Sequence, residues 1–147
     1  MLHHERGLDL EGNPYEIFDG QPPEAREAAK LASIVCVNER SRAQALGAIR
    51  RRLAGTMPDG PSAEELIARF EERHASVRPA FYSGAGLRLQ NVDSAIAADV
   101  LAHFVARGVT CLPVHDSFIV PAQHEDELRS AMRDAYVARL GREPVIK

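Results

Sequence analysis

The stretch Val109-Thr110-Cys111-Leu112-Pro113-Val114-His115-Asp116-Ser117-Phe118-Ile119-Val120-Pro121 decides the fold of this chain. Its two apolar runs, 109–114 and 117–121, have the length and β-branched content of paired strands. Only His115 and Asp116 separate them, which is enough for a hairpin turn. A turn that tight favours glycine, because glycine takes a positive φ without steric penalty. His and Asp tolerate it at some cost. A carboxylate and an imidazole are therefore expected at the exposed tip of a rigid hairpin, a good mount for a metal ligand and an odd choice for a plain turn.

Helices flank the hairpin. From about Leu87 to Ala106, Val92, Ile96, Val100 and Phe104 recur every four residues, joined by Leu101 and Val105, and Gly108 is a natural stop. Ala95, Ala97, Ala98 and Ala102 keep that helix thin enough for close packing. A last helix over about 123–140 carries Leu128, Met132, Ala135, Tyr136 and Leu140 and ends at Gly141. Pro144-Val145-Ile146-Lys147 is expected as a short edge strand. A two-stranded hairpin is marginal alone in water. It must rest on these helices, or pair with strands from elsewhere.

Upstream, residues 1–20 are polar, with turn signals at Gly12-Asn13-Pro14 and Asp19-Gly20. Pro22-Pro23-Glu24 opens a helix to about Asn38, with Leu31, Ile34 and Val35 as its apolar stripe. Ser41-Arg42-Ala43-Gln44 and Ser62-Ala63-Glu64-Glu65 read as capping boxes for two more helices. The first carries Leu46, Ile49 and Leu53, and the second Leu66, Ile67 and Phe70. Met57 to Pro61 is a loop between them, and 74–86 a less regular connector. The fold class is α+β, mainly helical, with a β-hairpin packed between two helices.

The 147 residues make one domain or a fragment of a larger one. No leading segment resembles a signal peptide and no run reaches membrane-spanning length, so a cytoplasmic protein without membrane contact is expected. Cys36 and Cys111 lie in apolar runs as small hydrophobes of a reducing compartment, too few for a zinc site. The net charge of −3 lacks the basic bias of a free-standing nucleic-acid binder. The local cluster Arg40, Arg42, Arg50, Arg51 and Arg52 reads first as a solvated helix face and second as a phosphate-facing patch. His74 and His103 are isolated and read as structural.

Leu112 to Pro121, with Val114-His115-Asp116-Ser117-Phe118 at its centre, resembles motif C of the family A polymerases, closest to the version in phage-type single-subunit RNA polymerases. Arg26-Glu27-Ala28-Ala29-Lys30 is similar to their motif B, on the fingers helix. The resemblance implies a nucleotidyltransferase fragment, with 1–86 fingers-like and 87–147 palm-like. It implies Asp116 as ligand of catalytic Mg2+, His115 beside the primer end, Arg26 and Lys30 as a triphosphate clamp, and Gln90 as a contact to nucleic acid. Two departures stand out. Asn38-Glu39 occupies the place of the family's Tyr-Gly, and no aspartate upstream of Arg26 sits in a strand-like run to serve as motif A. Only Asp9 and Asp19 precede it.

One carboxylate holds magnesium weakly, and only with a nucleotide present. The implied activity is therefore absent from this chain alone. The alternative, from a different class, is a non-catalytic helical interaction module, a homo-oligomer that covers the hairpin's open edge. A hydrolase triad of His115, Asp116 and Ser117 is excluded, since consecutive residues beside a strand point to opposite faces.

Overall fold

The computed structural model describes residues 1–18, 20, 23–54 and 61–146, without the side chains of Pro23 and Glu24. Asp19, Pro22, the loop residues 57–60 and Lys147 lie outside the described residues. The elements in chain order are α1 (Pro23–Asn38), α2 (Arg42–Leu53), α3 (Ala63–Arg73), α4 (Ala85–Ala106), β1 (Leu112–Val114), β2 (Ser117–Ile119) and α5 (Glu125–Leu140). Short 3-10 turns cover His4–Arg6, Ala75–Ala80 and Ala122–His124. The protein is mainly helical with one small antiparallel sheet, as the periodicities require. The chain divides into two compact units, Asp9–Arg88 and Leu89–Lys147 with Met1–Leu8.

In the Asp9–Arg88 unit, α1, α2 and α3 pack on one another. Both capping serines act as read. Ser41 Oγ accepts from the Gln44 amide at 3.2 Å, and Ser62 Oγ accepts from the Glu65 amide at 3.1 Å. The stripe of α1 needs correction. Its buried face is Ala25, Ala28, Ala29, Ala32, Val35 and Cys36, whereas Ile34 is 55% exposed. Small side chains let helices approach closely, so the alanines face the neighbours and the larger Ile34 is left outside. In α3 the expected Leu66, Ile67 and Phe70 are all buried.

In the Leu89–Lys147 unit, Ile96, Val100 and Phe104 of α4 meet Leu128, Ala131 and Ala135 of α5 in one apolar cluster. Val109, Cys111, Phe118 and Val120 lean on it from the hairpin and its flanks, so the hairpin does rest on both helices. Val105 does not join them. It is 76% exposed, because it lies one position past the buried Phe104 and faces away. Gly108 and Gly141 end α4 and α5 with positive φ, as their positions foretold. Pro144 to Ile146 do not form a strand. Pro144 brings no backbone donor to a ladder.

Candidate binding site

Residue pairing across the hairpin is Leu112 with Ile119, Pro113 with Phe118, and Val114 with Ser117, which leaves His115 and Asp116 as a two-residue loop. His115 has φ +53, and Asp116 stays at negative φ. A positive φ at the first loop position alone is the pattern of a type II′ turn, where glycine is strongly preferred. The anticipated cost of this loop therefore falls on the imidazole-bearing residue, and both side chains are exposed.

The pleat sorts the strand residues by face. Phe118, with Cys111 and Val120 two steps away on either strand, turns to the α4–α5 cluster. Leu112, Val114 and Ile119 turn outward and are 54%, 44% and 56% exposed. Three exposed apolar side chains on one face of so small a sheet form a surface that water solvates poorly.

Beside β2 opens a cleft of about 900 Å³. Ile96, Phe118, Leu128, Met132 and Tyr136 line its apolar part. Pro144, Val145 and Ile146 close one side. Asp93, His115, Asp116, Glu125 and Arg129 supply its polar groups. Arg129 is tied to Glu125 at 3.1 Å. Burial raises the phenol pKa of Tyr136 above its ordinary value, and the nearby Asp93 carboxylate adds to the effect. His4 Nδ1 lies 2.8 Å from the same phenol oxygen. An apolar cleft with a few convergent polar groups is the usual form of a ligand site. Asp93 of α4 lines it as well, and no motif in the sequence marks that residue.

The remaining sequence-derived candidates do not line this cleft, and some have other partners. Lys30 Nζ donates to Glu27 Oε1 at 2.6 Å, and the Arg26 guanidinium stands 5.7 Å from the Tyr15 ring centroid. Both residues belong to the Asp9–Arg88 unit, and Asp116 to the other. Gln90 is exposed on α4 and does not line the cleft. Of the arginine cluster, Arg42 pairs with Glu71 and Arg50 with Glu64, which favours the reading of an ordinary helix surface. Among the described residues, no three His, Cys, Asp or Glu side chains are grouped to hold a metal ion.

Two polar hubs escaped the sequence reading. Glu127 accepts from His103 Nε2 at 2.8 Å, His124 Nδ1 at 2.9 Å and Arg107 Nε at 2.7 Å. Hydrogen bonds from His124 and His103, with the Arg107 charge, hold its carboxyl below the usual range. Glu71, only 5% exposed, accepts from Tyr82 and Arg42 and faces Arg78. Cys36 Sγ lies 3.5 Å from the Tyr82 oxygen, and burial pushes its thiol pKa up to about 11. A thiol so protonated at neutral pH is no nucleophile. His74 fits its structural reading, buried with Nε2 2.9 Å from the Pro14 carbonyl, whereas His103 is exposed and is not isolated, since it joins the Glu127 hub.

No family model matches this chain, and no solved structure does. A triosephosphate isomerase from Ruegeria sp. (strain TM1040) is 32% identical over 94 residues, covering 58% of this chain and 35% of that protein. The chain thus spans about a third of the length of the curated relative it matches. That relative is an isomerase, not a polymerase, and it overturns the polymerase resemblance. The labels of fingers, palm and nucleotidyltransferase go with it. The physical reason is how little carried them. A His-Asp hairpin tip and an Arg and Lys four apart on a helix are short patterns that arise without common descent.

Proposed function

We propose that the Leu89–Lys147 unit is a non-catalytic interaction module whose cleft receives a segment of another polypeptide. The observation that carries this reading is the outer edge of β2, which no further strand pairs among the described residues. It borders an apolar cleft, and the outer face of the same hairpin exposes Leu112, Val114 and Ile119. An unpaired edge beside exposed apolar side chains is a ready template for a further strand. Triosephosphate isomerisation is not extended to this chain, since the match covers so small a part of that enzyme. The free cysteines Cys36 and Cys111 suit a reducing compartment such as the cytoplasm. Among the described residues no helix is long and apolar enough to cross a membrane.

Selection from a displayed library of short peptides tests this, with Met132→Arg placing a charge on the cleft floor. Enriched peptides bind the natural protein and lose affinity for a folded Met132→Arg variant. Failure to enrich any sequence, or binding indifferent to that substitution, rules the reading out.

A second reading is favoured by the positive φ of His115, since backbone strain at a non-glycine residue is concentrated at functional positions. Asp116, with Asp93 on the same cleft, would hold Mg2+ weakly together with a nucleoside triphosphate. Water relaxation in a titration with manganese–adenosine triphosphate measures this, and Asp116→Asn should abolish the binding. Unchanged binding in that variant removes the reading.

A further inference from the structure

We infer that the partner is an extended, apolar peptide bearing lysine or arginine, which adds a strand to β2. This rests on the interaction reading above and gives it a chemistry. The two edges of the hairpin are not equivalent. With a two-residue loop, Val114 and Ser117 exchange hydrogen bonds, and the next pair, Pro113 and Phe118, turns its backbone groups outward. Proline has no N–H, so the outer edge of β1 lacks its donor at that position. Phe118 keeps both N–H and C=O on the outer edge of β2. The cleft lies beside β2 as well, lined by Phe118 and Ile119 from the strand itself. A strand laid there alternates its side chains. One set meets Ile96, Leu128 and Met132, and the other set meets the rim.

The rim determines the charge of the guest. Asp93, Asp116 and Glu125 stand there beside His115 and Arg129, and Arg129, the one lysine or arginine among the described lining residues, is already paired with Glu125. Asp93 and Asp116 have no ion-pair partner among the described residues. Cationic side chains on the guest complement them, whereas acidic ones meet repulsion. A second copy of this chain is disfavoured by the same logic. Its hairpin segment, residues 109–121, carries Asp116 but no lysine or arginine to offer the rim.

Four synthetic heptapeptides test the inference by fluorescence anisotropy: alternating Val-Lys, alternating Val-Glu, and Val-Lys carrying N-methyl groups on one or the other set of alternate amides. The Val-Lys peptide binds, more weakly as salt rises, and the Val-Glu peptide does not. Of the two N-methylated forms, the one that blocks the bonding edge fails and the other binds. Asp93→Asn with Asp116→Asn weakens the Val-Lys peptide about tenfold, the size expected for charge pairs at an interface. Equal binding of all four peptides overturns the strand and charge chemistry while leaving polypeptide binding in place. If no heptapeptide binds but library selection still yields peptides sensitive to Met132→Arg, this inference alone fails. If neither binds, the interaction reading fails with it.

Discussion

The Tyr82 hydroxyl donates to Oε1 of Glu71 at 2.8 Å, joining the chain beyond α3 to a carboxylate that is 5% exposed on α3 itself. Tyr82 holds φ +58, a conformation that costs a non-glycine residue free energy, and its own amide donates to the Cys36 carbonyl of α1 at 2.8 Å. Two hydrogen bonds into the helices offset that strain. Tyr82→Phe removes the donor and leaves a buried carboxylate one partner short. A loss of about 1–2 kcal/mol is expected from urea unfolding. An unchanged midpoint would mean that Arg42 and Arg78 satisfy Glu71 alone.

Stability should also fall as pH drops through the histidine range, and His74 is the reason. Burial, aided by the Arg73 charge, lowers its pKa from the ordinary 6.5, and the bond to the Pro14 carbonyl only partly opposes this. The unfolded chain therefore binds a proton that the folded chain refuses. Stability is full above pH 6.5 and declines from there down to the folded pKa, below which His74 adds no further slope. His74→Gln can keep a donor to Pro14 without titrating. Thermal unfolding of this variant between pH 5 and 7.5 should be flatter than that of the natural protein. Parallel curves would assign the slope to other groups.

At the hairpin tip, His115→Gly relieves a positive φ and fits the first position of the loop. The expected result is a gain of about 1 kcal/mol in the Leu89–Lys147 unit, partly offset by the greater entropy of glycine in the unfolded chain. A net loss instead would show that the imidazole makes a favourable contact worth more than the strain, and would strengthen the case for a ligand at this tip.

Much of this fold was legible because its signals are local. The caps at Ser41 and Ser62, the four-residue recurrence of Ile96, Val100 and Phe104, and the hairpin around His115-Asp116 each rest on a few neighbouring residues. What escaped was non-local. Glu71 draws its partners from α2 and from residues 78 and 82, and Glu127 draws His103 from α4 and Arg107 from just past its end, so no spacing rule could reveal either hub. The stripe of α1 misled because hydrophobicity alone favours Ile34 over Ala28, whereas close helix packing favours the alanine. At the candidate site, the tip residues were legible but Asp93, Arg129 and Tyr136 were not. Only the folded arrangement of α4 and α5 brings them to one cleft.

Dependence of the hairpin on its support gives the last prediction. Three residues per strand cannot hold a hairpin in water, so its order comes from Phe118 and its neighbours on the α4–α5 cluster. Phe118→Ala removes the largest of those contacts. Because Phe118 is half-buried, the loss should be below the range of about 3–5 kcal/mol typical of a buried phenylalanine. Phe104 is fully buried between the two helices, and Phe104→Ala should cost the whole of that range. The two variants differ in which amides they release. By hydrogen exchange, Phe118→Ala frees the amides of 112–119 and leaves those of α4 and α5 protected, whereas Phe104→Ala frees all three together. If the hairpin amides stay protected in Phe118→Ala, the strands hold by themselves, and the cleft beside β2 is walled by something stiffer than its apolar contacts.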